Sequence, residues 1–389
     1  MKKLFFSLLA VAAMASCSKS ELAERPNIDG GDVEILAKST ALSISTNTQP
    51  SRAPFEGSTI DADHNLVAKV WATTTKDVYS GTLDADGKNN IPTYNGNFNG
   101  TDKMVFKNEN QVGFLSTTDG GKGSMYFPAD KDDVYLFGLY PYDLEWTEST
   151  SAGKSSAVCK IDGKSDIMVA PQAVANKAKH QAVSPATPEY PTLAFEHMLT
   201  KLIVKVSAEN GAAISAWGQI TDIALTGANG GLKNQVSIAC TDKVAGQPMK
   251  GSFTAPDGTP ASFDFFKMDM TQTDASKQYT DTAFKSLVLD DTAVELTETA
   301  TNVAYVLVAP LTADLVNTDT DFTLQVKTTN HTTAYTVNIN LLDATAAAYA
   351  QSTQGKYFEI TLTFKATEIQ AKATVAAWEN GGNGGADIQ

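Results

Sequence analysis

Along most of the chain, apolar and polar residues alternate at period two. Leu42 and Ile44 alternate with Ala41, Ser43 and Ser45. Leu202, Val204 and Val206 face one way while Lys201 and Lys205 face the other. Phe322, Leu324 and Val326 alternate with Thr323, Gln325 and Lys327, and Tyr335, Val337 and Ile339 with Thr336 and Asn338. Phe358, Ile360, Leu362 and Phe364 against Glu359, Thr361 and Thr363 is the cleanest case. A strand of this kind has one buried and one wet face, which antiparallel sheets allow and parallel sheets rarely do. Turn clusters such as Asp84-Ala85-Asp86-Gly87, Asp119-Gly120-Gly121, Gly227 to Gly231 and Ala255-Pro256-Asp257-Gly258 separate the strands. Helical periodicity is scarce, and predicts one short helix over Ala344 to Gln351. The fold class is therefore all-β, built of antiparallel β-sandwiches. Pro185, Pro188 and Pro191 interrupt the pattern between Val183 and Thr192. They divide the chain into a sandwich domain at 53–190 and a second, with a C-terminal extension, at 191–389. No short-period repeat is present.

The first residues do not belong to either sandwich. Lys2 and Lys3 precede an apolar run, Leu4 to Met14, and then Ala15-Ser16-Cys17. This is an export signal over 1–17 whose end resembles a bacterial lipobox, with the Cys17 thiol acylated and made the new N-terminus. The apolar run is too short to span a bilayer, so the lipid anchors the precursor in the outer membrane. Residues 18–52 hold a Glu/Pro/Gly/Asp tether, Ser18 to Asp32, and a first strand, Ser39 to Thr46. The body is acidic, with net charge −14, 19% charged and 42% hydrophobic residues. That balance describes a folded chain and excludes nucleic acid as a partner, since phosphate contact depends on clustered Lys and Arg. Cys159 and Cys240 are too few and too far apart for a disulfide framework and read as buried thiols.

Catalytic chemistry has no foothold in the sequence. His64, His180, His197 and His331 are scattered without metal-ligand spacing, and His197 reads as a core or edge residue at a strand start. Nucleophile elbow, phosphate loop and Cys-His signatures are absent. Asp84 to Asn89 begins like a calcium loop, but Asn95 stands where the bidentate Glu is required, so a solvated turn is expected. Trp71, Trp146, Trp217 and Trp378 read as core fillers ahead of a sugar platform. The expectation is no enzyme, no catalytic residue, no metal and no cofactor.

Mechanism enters with arginine. Arg25 and Arg52 are the only two arginines, and the rest of the 30 basic side chains are lysines. A protease that cuts only after arginine can act on the N-terminal arm and nowhere beyond it. Arg25 is a second candidate cut, although Pro26 after it usually blocks such proteases; cutting there would release the lipid and leave the strand in place. Cutting the Arg52–Ala53 bond detaches the strand marked by Thr40, Leu42, Ile44 and Thr46 from a folded sandwich. The exposed groove, with unpaired backbone groups, can take an extended segment of another molecule. Repeated head to tail, that contact makes a filament. The plain alternative is an uncut surface loop at Arg52.

Several short elements then resemble a known family. They are the lipobox with Ser51-Arg52-Ala53, Tyr135 to Tyr142 (YLFGLYPY), Ser165 to Ala170 (SDIMVA), and Leu193 to Val206 (LAFEHMLTKLIVKV). Val306 to Pro310, Gly355-Lys356-Tyr357 and Ala376 to Gly382 complete the set. In this order they resemble the fimbrillins of Bacteroidales, the subunits of type V pili, including the minor-fimbrium-like branch. The resemblance implies two transthyretin-like β-sandwich domains in tandem and a lipidated precursor at the cell surface. It also implies trimming by an arginine-specific protease and polymerisation with other pilin subunits by donor-strand exchange. Donor candidates then lie from about Glu368 to Trp378, with the Gly-rich tail. A shaft subunit is the leading reading. A pilus tip or anchor subunit competes with it, and so does a monomeric glycan-binding surface lipoprotein.

Overall fold

The structure is a computed structural model and describes residues 33–40, 68–78, 102–108, 111–116, most of 123–181, most of 187–310, 322–339 and 353–377. Among these residues there are five sheets and two short helices. Two of the strand pairings are parallel and the others antiparallel, so the fold is all-β and of the antiparallel sandwich class. The expected helix at 344–351 and the calcium-like turn at 84–95 lie outside the described residues.

In the C-terminal half a six-stranded sheet runs in the order Tyr279–Ala283, Phe266–Met268, Thr301–Val308, Thr200–Ala208, Lys356–Phe364, Ile369–Ala377. A four-stranded sheet has the order Ser262–Asp264, Ile220–Gly227, Phe322–Thr328, Tyr335–Asn338. The alternation seen in the sequence sets which faces are buried. Leu202, Val204, Val206, Phe358, Ile360, Leu362 and Phe364 share one apolar cluster with Ile223, Leu225, Leu324, Val326 and Val337. Lys201 departs from expectation. It was assigned to a wet face, yet it is buried, because its strand is central and aromatic neighbours cover that side. Its Nζ donates to the Tyr279 hydroxyl at 3.2 Å and lies 5.4 Å from the ring centroids of Tyr279 and Tyr357. Aromatic faces attract a cation held over them in this way. Ile203, Met268 and Tyr305 form a second small cluster on the same side.

The helix Gly211–Trp217 begins where the Asn210 side chain accepts from the Ala213 amide at 3.0 Å. It stops at Gly218, φ +74°, where a Cβ would fall 2.1 Å from Thr329 Oγ1. It delivers Trp217 into the core, against Phe364 and Tyr335 at 5.5 and 5.2 Å between ring centroids. Trp71 and Trp146 are buried as well, so these three tryptophans are core residues as expected; Trp378 lies outside the described residues.

The N-terminal half is centred on a seven-stranded sheet, ordered Glu196–His197, Met168–Asn176, Asp133–Tyr140, Lys69–Thr73, Asp102–Asn108, Gln111–Ser116, Gly123–Ser124. A further four-stranded sheet, Gly251–Thr254, Gln235–Ala239, Lys154–Lys160, Thr147–Ser151, takes strands from both sides of the proline-rich stretch. Gln235 opposes Lys160, and the register runs to Ala239 opposite Ser156. Cys159 sits in this sheet and Cys240 just beyond its second strand; both are free and buried. Burial pushes both thiols well above the usual cysteine range, so they stay protonated and inert.

Candidate functional site

The N-terminal segment Val33 to Thr40 is built into the fold. Its short strand Lys38–Thr40 runs parallel to Thr192–Ala194, with Lys38 opposite Thr192 and Thr40 opposite Ala194. The Lys38 amide donates to the Pro191 carbonyl at 2.7 Å, and the Phe127 amide donates to the Val33 carbonyl at 3.0 Å. Glu34 makes an antiparallel bridge with Tyr126. The segment thus lies between residues 126–127 on one side and 191–194 on the other. Ile35 and Ala37 point inward, each 0% exposed, while Lys38 is exposed. Burying one Ile side chain stabilises by about 1.5–3 kcal/mol, so this short plug is held by two apolar side chains and its main chain.

His180 clasps the middle of the plug. It ends the helix Lys177–His180, capped by the Asn176 side chain accepting from the Lys179 amide at 3.1 Å. The ring is buried between Phe127 and Tyr190, with centroids 4.9 and 5.0 Å away in edge-on contact. Nδ1 lies 2.9 Å from the Asn176 carbonyl oxygen. Nε2 lies 2.9 Å from the Leu36 carbonyl oxygen and 3.3 Å from the Leu36 amide. A neutral ring donates from Nδ1 to Asn176 and accepts the Leu36 N–H at Nε2. A protonated ring donates to both carbonyls. Either way the contact is with main chain, so it holds a strand without reading its side chain.

The family-like motifs meet beside the slot. Glu196 and His197 pair with Val169 and Met168, and the Met198 amide donates to the Ile167 carbonyl at 2.8 Å. His197 Nδ1 lies 3.0 Å from Asp166 Oδ2, both side chains buried. Glu196 accepts from the Met249 amide at 3.0 Å and pairs with Lys243. The Gly355 amide donates to Leu199 at 3.0 Å. SDIMVA, FEHML and the Gly355-Lys356-Tyr357 turn are therefore one joint. His197 is a buried tie, as expected, held by a carboxylate from the other motif. Among the described residues no group of three or more His, Cys, Asp or Glu side chains is placed to hold a metal ion.

Of the site residues predicted from sequence, Thr40 falls at the end of the seated strand. Cys17, Leu42, Ile44, Thr46, Arg52 and Ala53 lie outside the described residues. The seated segment starts upstream of the expected strand, at Val33. Sequence reasoning passed over it because Leu36 breaks the alternation of Val33, Ile35 and Ala37. It noted His180 as one of four scattered histidines and did not find its clasp on the main chain; the sequence signal was a histidine one turn after an Asn cap.

Among solved structures, the chain is similar to a cell adhesion protein of Bacteroides uniformis, at 15% identity and TM-score 0.47, covering 90% of this chain and 100% of that one. It is also similar to one from Bacteroides ovatus, at 14% identity and TM-score 0.45, covering 90% and 99%. A third likeness is to the fimbrial anchor protein Mfa2 of Porphyromonas gingivalis, at 10% identity and TM-score 0.36, covering 90% and 98%. No curated protein matches the chain. A family profile described as fimbrillin-like matches residues 51–378. That span holds the motifs from Ser51-Arg52-Ala53 to Gly355-Lys356-Tyr357 and the start of the last one, Ala376 to Trp378, and the chain belongs to the fimbrillin-like family.

Proposed function

We propose that this chain is the precursor of a structural shaft subunit of a cell-surface pilus. On this reading it is exported as a lipoprotein acylated at Cys17 and cut between Arg52 and Ala53. It then joins other subunits by donor-strand exchange, in two tandem sandwich domains at 53–190 and 191–389. The observation that carries the reading is the plug. A short buried segment, Val33 to Thr40, fills a strand-shaped slot and stands upstream of Arg52, the last arginine in the chain. While the bond at Arg52 is intact the plug is tethered, at an effective concentration on the order of millimolar, and an incoming strand competes poorly. After the cut the plug is a separate peptide that dilution removes. The slot then offers apolar pockets and unpaired main chain to a replacement.

The test is the N-terminal sequence and polymer state of the protein shed from cells that express it. The expected product begins at Ala53 and is polymeric, and Arg52→Ala yields lipidated, folded monomer. Polymers of normal length from Arg52→Ala would overturn the proposal. A shed chain beginning at acylated Cys17 and remaining monomeric would point instead to an anchor or a solitary surface lipoprotein.

A further inference from the structure

On the six-stranded sheet, three polar side chains of different chemistry stand on three neighbouring strands. Asn302 lies on Thr301–Val308, Lys205 on Thr200–Ala208 and Glu359 on Lys356–Phe364, and these strands are adjacent in that order. Lys205 alternates with Val204 and Val206, and Glu359 with Phe358 and Ile360, all four in the apolar core. Lys205 and Glu359 are therefore on the face turned away from it. Asn302 is the register partner of Lys205, and residues directly opposed across an antiparallel pair share a face. Lys205 Nζ donates to Glu359 Oε1 at 2.9 Å, with each side chain 29% exposed.

A cross-strand ion pair of this kind is common and contributes little by itself. Asn302 is the part that such a pair leaves unexplained. Its Oδ1 is buried and has no hydrogen-bond partner among the described residues. A buried acceptor without a donor is destabilising, and folded proteins keep few of them. The strand is also irregular here. Val204 stands opposite Ala304 but Lys205 opposite Asn302, so Val303 is the extra residue of a bulge. Without the bulge, Val303 would face Lys205. With it, an amide replaces an apolar side chain at that place, and bulges re-aim side chains in this way beside reactive sites.

We propose that Lys205 and Asn302 join in an intramolecular isopeptide bond, with Glu359 as the proton carrier. Directly opposed residues of an antiparallel pair hold their Cβ atoms roughly 4.5–5.5 Å apart. The lysine stem is longer than that, so rotation about its outer torsions takes Nζ from Glu359 to Cγ of Asn302. Glu359 first accepts a proton from the Lys205 ammonium, which frees the amine as a nucleophile. The amine adds to Cγ and forms the Nζ–Cγ bond. The Cγ–Nδ2 bond breaks, and Nδ2 leaves as ammonia with a proton from Nζ. The proton held by Glu359 then passes to the ammonia, which departs as ammonium and restores the carboxylate. One C–N bond forms and one breaks, without oxidant, reductant or second substrate. Two paired strands hold the reacting groups together, so the step is unimolecular. The product ties Thr200–Ala208 covalently to Thr301–Val308, and a link between positions so distant in sequence restricts the unfolded chain.

The test is mass spectrometry of the purified full chain and of its peptides after digestion at lysine. The folded protein is expected to weigh about 17 Da less than its sequence, the mass of one ammonia lost to the amine. It should also yield a branched peptide that contains both Lys205 and Asn302. Succinimide formation at an Asn-Gly pair such as Asn210-Gly211 loses ammonia too, so the branched peptide decides. Lys205→Arg keeps a cation beside Glu359 but cannot give up its proton, and is expected to show no branched peptide and a lower unfolding midpoint. Glu359→Gln is expected to fold and to form the bond about a hundredfold more slowly or less. A folded wild-type chain without the branched peptide overturns the bond. A branch from Lys205 to another residue overturns Asn302 as the acceptor, and an unchanged rate in Glu359→Gln overturns the carrier. Each reading is made on the full chain before any cut or assembly, so the result stands apart from the pilus reading.

Discussion

Gly138, inside the Tyr135 to Tyr142 run, is a residue whose side chain is excluded by its neighbours. A Cβ there would lie 2.7 Å from the Phe195 ring and 2.9 Å from the Ala170 Cβ. Phe195 is 1% exposed, so the ring has nowhere to retreat, and it directly follows the Thr192–Ala194 strand that walls the plug slot. Gly138→Ala is expected to destabilise the protein by about 1–3 kcal/mol through overpacking, seen as a lower denaturant midpoint at unchanged slope. An unchanged midpoint would show that Phe195 yields, and would remove this close approach as the reason for glycine. The sequence announced this glycine as part of an aromatic motif, but its purpose became visible only when Phe195, 57 residues later by number, lay across it. The same holds for Asp166 and His197. Each stood in a recognisable motif, and their contact at 3.0 Å depends on the pairing of two strands that no local pattern specifies.

At the scale of elements, legibility followed the strength of the alternation. The strand Lys356–Phe364 was plain because Phe358, Ile360, Leu362 and Phe364 are all 0% exposed and their neighbours are polar. The seated segment Val33 to Thr40 was not, since Leu36 blurs its period and the cleaner alternation downstream drew the reading to Ser39 to Thr46. The helix Gly211–Trp217 carried its signals, Asn210 before it and Gly218 after it, but at seven residues it is too short for periodicity to declare it. The helix Lys177–His180 is shorter still, and its product, the clasp on Leu36, joins residues 144 apart in sequence. That clasp is measurable in the intact precursor. His180→Ala removes the partner of the Leu36 peptide groups, a loss of about 1–2 kcal/mol, and should speed amide exchange at Leu36 about 5- to 30-fold relative to the wild type. Exchange in the central strand Thr200–Ala208 should not change. Unaltered exchange at Leu36 would mean that Ile35, Ala37 and the main-chain bonds at Val33 and Lys38 hold the plug without the clasp.

For the molecule as a whole, the decisive feature is that one apolar cluster runs from Ile35 to Ala373 and includes Cys159, Val236 and Ile238. The sheet containing Lys154–Lys160 and Gln235–Ala239 ties the half of the chain before the proline-rich stretch to the half after it. The Cys240 amide donates across the same seam to Ser155, and the Gln172 amide to Thr241, each at 2.8 Å. The sequence division at 190/191 falls between strands of this one sheet, which joins residues from both sides of it. Pulling the halves apart would break this ladder along its length and not at one joint. Ile238 tests the coupling. It is 0% exposed and stands opposite Ala157, so Ile238→Ala should remove about 2–5 kcal/mol through transfer and cavity terms together. If the halves fold as one unit, that loss appears in a single unfolding transition. Amide exchange then rises by the same factor in Lys154–Lys160, Asp133–Tyr140 and Lys356–Phe364. If they fold independently, the variant splits the transition in two, and exchange in Asp133–Tyr140 stays at its wild-type rate while that around Gln235–Ala239 rises.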